Sequence, residues 1–188
     1  MPVKRFVPRE TRLHEKLVAL FPAVVEKLHK LGIEISLQPG AGLAARIPDS
    51  AYETIGVALS NPPADVSLVF SVQPPSIAEI EQMNPGTVLC CFVYAHREQA
   101  TVRALRDGQI TCFAMELVPR STRAQAMDAL SSQAALAGYY AALLAATNLN
   151  RILPMMTTAV GSLRPARVLV MGAGVAGLQA LATAKRLG

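Results

Sequence analysis

The chain has 188 residues, of which 52% are apolar, enough to build a core and too many for a disordered segment. Its net charge is +5, but the 18 basic residues are scattered and only 5% of residues are aromatic, which argues against a nucleic-acid groove. The charged start, Met1–Glu10, has no apolar core of a signal peptide.

In chain order, a first strand is predicted from Val3 to Val7. Apolar residues at Leu17, Leu20, Phe21, Val24, Val25 and Leu28 have helical spacing, with Pro22 as a start or kink and Gly32 as the stop. Ile33–Leu37 alternates like a strand, and Pro39 to Gly42 turns the chain. A short helix is predicted over Asp49–Ile55. Val66–Val72, between Pro62-Pro63 and Pro74-Pro75, reads as a buried strand. Ser76 caps a helix running to Met83. Thr87–Val93 and Ile110–Met115 read as strands, with a helix over Glu98–Arg106 between them. Strands alternating with helices predict an α/β domain on a parallel sheet covered on both faces, up to residue 118.

Cys90, Cys91 and Cys112 lie in these apolar runs without metal-ligand spacing, so buried reduced thiols and no metal are expected. Ala134–Ala146 is apolar but shorter than a membrane span and has Asp128, Ser131 and Ser132 just upstream, so a buried helix of a soluble protein is expected. Residues 154–165, with Gly161 and two prolines, are predicted as a hinge.

The most specific pattern comes last. Val168–Met171 is an apolar run, Gly172, Gly174 and Gly177 form G-x-G-x-x-G, and Leu178–Leu187 is helix-like. Strand, glycine turn and helix in that order are the context of a dinucleotide site. Gly172 serves the turn, Gly174 the approach of a pyrophosphate, and Gly177 close packing of helix on strand. The helix N-terminus offers free N–H groups to phosphates. The acidic residue that binds the ribose in such folds is expected about 20 residues further on, past Gly188.

The densest polar cluster runs from Glu116 to Gln133. Gln125, Asp128 and Ser131 have i, i+3, i+6 spacing and are predicted on one helix face, with Arg120 just before. Two readings are open. One is a surface for a planar polar ligand, with Arg120 on a phosphate or carboxylate. The other is an ordinary helix start, with Ser121 or Thr122 as cap and Asp128 paired to Arg120 or Arg123.

The run Pro119 to Gln133, then Ala137-Gly138-Tyr139, then Pro154 to Ala159 and Pro165 into the glycine motif, resembles domain I of the proton-translocating NAD(P) transhydrogenase α subunit. The resemblance covers the whole chain and is strongest from Glu116 onward. It implies a flavodoxin/Rossmann-like parallel-sheet domain, a long connecting helix (Ala124–Thr147) and the first β-α unit of a truncated Rossmann NAD-binding domain, with boundaries 1–118, 119–165 and 166–188. It implies NAD(H) as cofactor, with NADP(H) held on a partner β subunit and a membrane domain moving protons. Arg120, Gln125, Asp128 and Ser131 would contact the nicotinamide and its ribose and phosphates, and Ala173, Gly174 and Val175 the pyrophosphate. No catalytic acid or base is implied, and Tyr139 is expected to pack. A homodimer and a cytoplasmic position at the inner membrane are also implied.

Alanine dehydrogenases resemble the same pattern but keep an Arg, a Lys and a His in the first domain. Here Leu17, Ser71 and Tyr94 take those places, and His96 lies two residues on. An alanine-dehydrogenase-like enzyme is therefore the weaker alternative. A non-catalytic module completed by a partner chain is another, because the nucleotide fold is expected to be incomplete at Gly188.

Overall fold

The structure is a computed structural model describing residues 3–62 and 65–188; Pro63, which helps bound one predicted strand, lies outside them. The chain divides into one unit up to Val118 and another from Pro119 to Gly188.

The first unit is built on six strands: β1 (Arg5–Val7), β2 (Ser36–Leu37), β3 (Ala58–Leu59), β4 (Leu68–Phe70), β5 (Val88–Cys91) and β6 (Thr111–Ala114). All neighbours are parallel, in the order β3-β2-β1-β4-β5-β6. That is the doubly wound order of Rossmann-type sheets, with the chain reversing direction across the sheet between β1 and β4. β3 is not among the predicted strands. Two residues after Gly56 are too short to show alternation.

Register assigns the two faces. Phe6 is opposite Val69, and Val69 opposite Leu89, so these three share a face, while Val7 points the other way beside Leu37. On the Val7 face, α1 (Pro22–Lys30) and α2 (Asp49–Glu53) contribute Val25 and Tyr52 to one core. On the Val69 face, α3 (Ile77–Glu81) and α4 (Gln99–Asp107) contribute Ile80 and Leu105 to the other. Burying each such side chain contributes about 1.5–3 kcal/mol. Tyr52 is fully buried and donates its hydroxyl to the Leu20 carbonyl at 2.9 Å. Burial raises its pKa.

Several boundaries differ from expectation for local reasons. Of the two roles open to Pro22, start or kink, the structure takes the start, so the helical spacing at Leu17 and Leu20 lies ahead of the helix. Phe21 is extended (φ −80, ψ 152), because proline disfavours helix in the residue before it. α3 starts as predicted at Ser76, whose hydroxyl and Glu79 form a reciprocal capping box. Of the three cysteines only Cys91 is buried; Cys90 and Cys112 are partly exposed, and all three are free thiols. The interaction between the Cys91 and Cys112 thiols lowers the Cys112 pKa and raises that of Cys91.

The second unit contains α5 (Ala129–Asn148), a two-stranded hairpin of β7 (Met156–Thr158) and β8 (Gly161–Leu163), and α6 (Val175–Arg186). The stretch expected as a hinge thus folds as an antiparallel hairpin, with Met156 opposite Leu163. Its residues are all exposed. The predicted long helix was expected to be buried, but only Gly138 and Ala142 are. Leu136, Tyr140 and Leu144, one turn apart in sequence, are exposed, and Tyr139 is 48% exposed rather than packed.

Val168–Met171 is a second correction. It leads into the glycine turn but pairs with no strand. A strand is stabilised by its ladder, and no other segment of the described residues supplies one here. No helix of the described residues is long and apolar enough to cross a membrane.

Candidate functional site

The second unit carries a cleft of about 320 Å³ lined by Arg120, Ser131, Ala134, Met171, Gly172, Gly174, Val175, Ala176 and Gly177. Its floor is the glycine turn. Gly172 has φ +113, a conformation that side chains disfavour. A methyl group at Gly177 would come within 2.9 Å of the Gly172 carbonyl carbon and 3.5 Å of Val170 Cγ1, so only glycine allows this close return. Gly174 is different. It is extended (φ −78, ψ −176), and nothing lies within 4 Å of where its Cβ would be. The backbone there faces open space.

Gly174 also begins α6, and no side chain caps that end. The first N–H groups of a helix have no partner inside it and carry the positive end of its dipole. Such an end suits an anion, and the exposed Arg120 adds a cation to the same cleft.

The wall is α5. Gly138, one of its two buried residues, faces Ala176 so closely that an added Cβ would sit 2.8 Å from the Ala176 carbonyl carbon and 2.9 Å from its Cα. This contact sets α5 against the start of α6 and brings Ser131 and Ala134, two turns and one turn earlier, to the cleft.

The expected polar face does not form as predicted. Gln125–Met127 is a single 3-10 turn, and α5 begins only at Ala129. Asp128 is the N-cap, accepting the Ser131 N–H at 2.8 Å. Hydrogen bonds from Ser131 hold its carboxyl below the usual carboxylate range, and the Arg120 guanidinium adds to this. The cap is thus neither Ser121 nor Thr122, and Asp128 is ion-paired with neither Arg120 nor Arg123 among the described residues. Competition from the aspartate side chain for backbone N–H groups starts the helix there.

The structure therefore brings Arg120, Ser131, Gly172, Gly174, Val175 and Gly177 together. Gln125, Asp128 and Ala173 do not line the cleft. Ala134, Met171 and Ala176 line it and were not singled out from the sequence. Ala134 and Gly138 follow Ser131 at i+3 and i+7, a helical signal that was available. Among the described residues no group of three or more His, Cys, Asp or Glu side chains is placed to hold a metal.

A doubly wound parallel sheet followed by a glycine turn on a helix N-terminus defines a two-unit α/β protein with a Rossmann-type glycine turn. The family description "Alanine dehydrogenase/PNT, N-terminal domain" matches residues 6–137, and its C-terminal counterpart matches residues 141–188. The chain belongs to the alanine dehydrogenase/PNT family.

It is 46% identical to an NAD(P) transhydrogenase subunit alpha protein of Rhodospirillum rubrum, over 99% of this chain and 51% of that one. It is 38% identical to NAD(P) transhydrogenase subunit alpha of Haemophilus influenzae (97% and 36%), and 32% identical to alanine dehydrogenase of Mycobacterium tuberculosis (97% and 50%). Among solved structures it matches a transhydrogenase from Sinorhizobium meliloti at TM-score 0.94 and 44% identity, covering 98% of this chain and 56% of that one. The chain spans about half the length of the first of these relatives.

Proposed function

We propose that this chain is part of the NAD(H)-binding component of an NAD(P) transhydrogenase. The observation that carries the reading is the cleft, where Arg120 and Ser131 face a glycine turn in which Gly174, extended and with nothing beside it, leaves the start of α6 bare. Identity to transhydrogenase α subunits over nearly the whole chain supports it.

The residues fit a dinucleotide. Bare N–H groups at Val175 and Ala176 would bind the pyrophosphate, with Arg120 supplying a positive charge and Ser131 a hydroxyl. Gln125, Asp128 and Ala173 belong to the same proposed site, as reach from the turn before α5 and from the glycine loop. When bound, the nicotinamide supplies hydride chemistry, and the protein binds and orients. None of these residues has to act as an acid or base.

NADP(H) would be held on a partner β subunit, with a membrane domain coupling transfer to proton movement. The chain would lie on the cytoplasmic side, peripheral to the inner membrane. The exposed Leu136, Tyr140 and Leu144 supply an apolar line suited to a homodimer.

An alanine-dehydrogenase reading has no comparable support. At the places where those enzymes keep Arg, Lys and His, the Leu17 N–H binds Glu15, Ser71 is buried, and the Tyr94 N–H binds Glu116. None is a cation.

The test is titration of the chain with NADH, followed by fluorescence, in parallel with pyruvate plus ammonium turnover. NADH binding that is weakened by Arg120→Ala, without pyruvate turnover, is expected. Absence of any NADH binding by folded protein would overturn the reading.

A further inference from the structure

Ligands of open parallel sheets bind outside the carboxyl ends of the strands, at the point where the strand order reverses. In the first unit that point lies between β1 and β4. Two successive N–H groups project there beyond β4, and both are taken. Val72 N–H donates to Glu10 Oε1 at 2.6 Å, and Gln73 N–H to Glu10 Oε2 at 3.1 Å. Glu10 comes from the loop after β1, so it reaches across the crevice. The space directly beside it is about 20 Å³, room for a single water, and a cleft of about 390 Å³ lined by Phe6, Pro8, Val69 and Pro75 adjoins it.

The arrangement is repeated along the same edge. Past β5, Glu116 accepts the Val93 N–H at 3.1 Å and the Tyr94 N–H at 2.6 Å. Past β2, both oxygens of Asp49 lie 3.0 Å from the Gly40 nitrogen. Three strand ends are thus met by carboxylates of the chain itself.

A carboxylate spanning two consecutive amides is the geometry of a bound monocarboxylate. The charge is held against its surroundings: burial pushes the Glu10 carboxyl up, and Glu15 and Glu79 add to this. The nearby Arg12 is paired with Glu98 instead, at 3.4 Å.

We propose that Glu10 is a built-in ligand: its carboxylate fills a small-monocarboxylate site made by the Val72 and Gln73 amides, in the place of a free monocarboxylate. This role of Glu10 is independent of dinucleotide binding by the second unit.

Glu10→Ala removes the atoms that acetate would replace. In thermal denaturation of the 188-residue chain, the variant is expected to melt roughly 5–10 °C lower, as for loss of two charge-assisted hydrogen bonds. Sodium acetate at roughly 100 mM should restore about half of that loss, with no shift in the unmodified chain. Sodium chloride at equal ionic strength and neutral acetamide should restore none. Glu10→Gln keeps the crevice filled, so it should lose stability and not respond to acetate. If the alanine variant does not accumulate folded, its refolding yield from urea in acetate against chloride is the readout, and acetate should raise it. Equal acetate shifts in variant and unmodified chain, an unchanged melting temperature for the variant, or equal refolding yields would overturn the proposal.

Discussion

Asp128 accepts the backbone N–H of Ser131 at 2.8 Å, so the carboxylate that the sequence places on a helix face instead starts the helix. This has a consequence for pH. The carboxyl is held below its ordinary value in the folded chain, so the folded state binds the proton less readily than the unfolded one. The contribution is present above the unfolded carboxylate pKa and is lost as pH falls through the lower, folded value. Asp128→Asn should retain a cap, lower stability at neutral pH and flatten the acid limb of the stability curve. Urea denaturation of both proteins from neutral pH into the acid range measures this, and parallel acid limbs would remove the role given to the cap.

Gly174 separates binding from folding. Its backbone is extended and the space beside it empty, so Gly174→Ala should change stability by less than about 1 kcal/mol. In the proposed site the new methyl group would nevertheless stand in the path of the pyrophosphate, and NADH affinity should fall by about tenfold or more. Denaturation and NADH titration of the same sample check both halves. Unchanged affinity would place the phosphates elsewhere.

Arg120 is exposed and lines the cleft, so its removal should cost binding and little stability. Arg120→Ala should weaken NADH by roughly tenfold, the range for one charged hydrogen bond to a phosphate near solvent. Lysine keeps the charge without the planar fork and should recover part of the loss. The slope of affinity against salt should also shrink in the alanine variant.

Tyr52 tests the core of the first unit. Tyr52→Phe keeps the ring and leaves the Leu20 carbonyl without its 2.9 Å donor. A loss of about 1–2 kcal/mol is expected, seen as a melting temperature lower by roughly 2–6 °C, with NADH affinity unchanged.

The first unit was legible because its signals are local. Prolines bound Val66–Val72, Ser76 and Glu79 make a reciprocal cap, and Asp107-Gly108 ends α4. What was missed depends on partners far away in sequence. β3 is two residues long and exists only because β2 lies beside it. β7 and β8 are held by cross-strand pairing around a two-residue turn with no Asn-Gly or Asp-Gly signal, and Pro154 and Pro165 flank them like a linker. Val168–Met171 has the composition of a strand and lacks a ladder.

The candidate site divides the same way. The jobs of Gly172 and Gly177 follow from local backbone geometry and could be read from spacing. The capping role of Asp128 could not, because i, i+3, i+6 spacing is identical for a residue on a helix and one just ahead of it. Its conformation, φ −78 and ψ 78, decides the matter and leaves no trace in spacing.

The contact between Gly138 and Ala176 bears on how this protein can change over generations. The atoms that a side chain at 138 would meet are backbone atoms of Ala176, and no replacement at 176 takes those away. The usual escape, in which bulk gained at one position is offset by bulk lost opposite, is closed. Position 138 can drift only if α5 and the start of α6 move apart, which would displace the glycine turn at the same time. A residue that touches no ligand is thereby tied to the inheritance of the cleft.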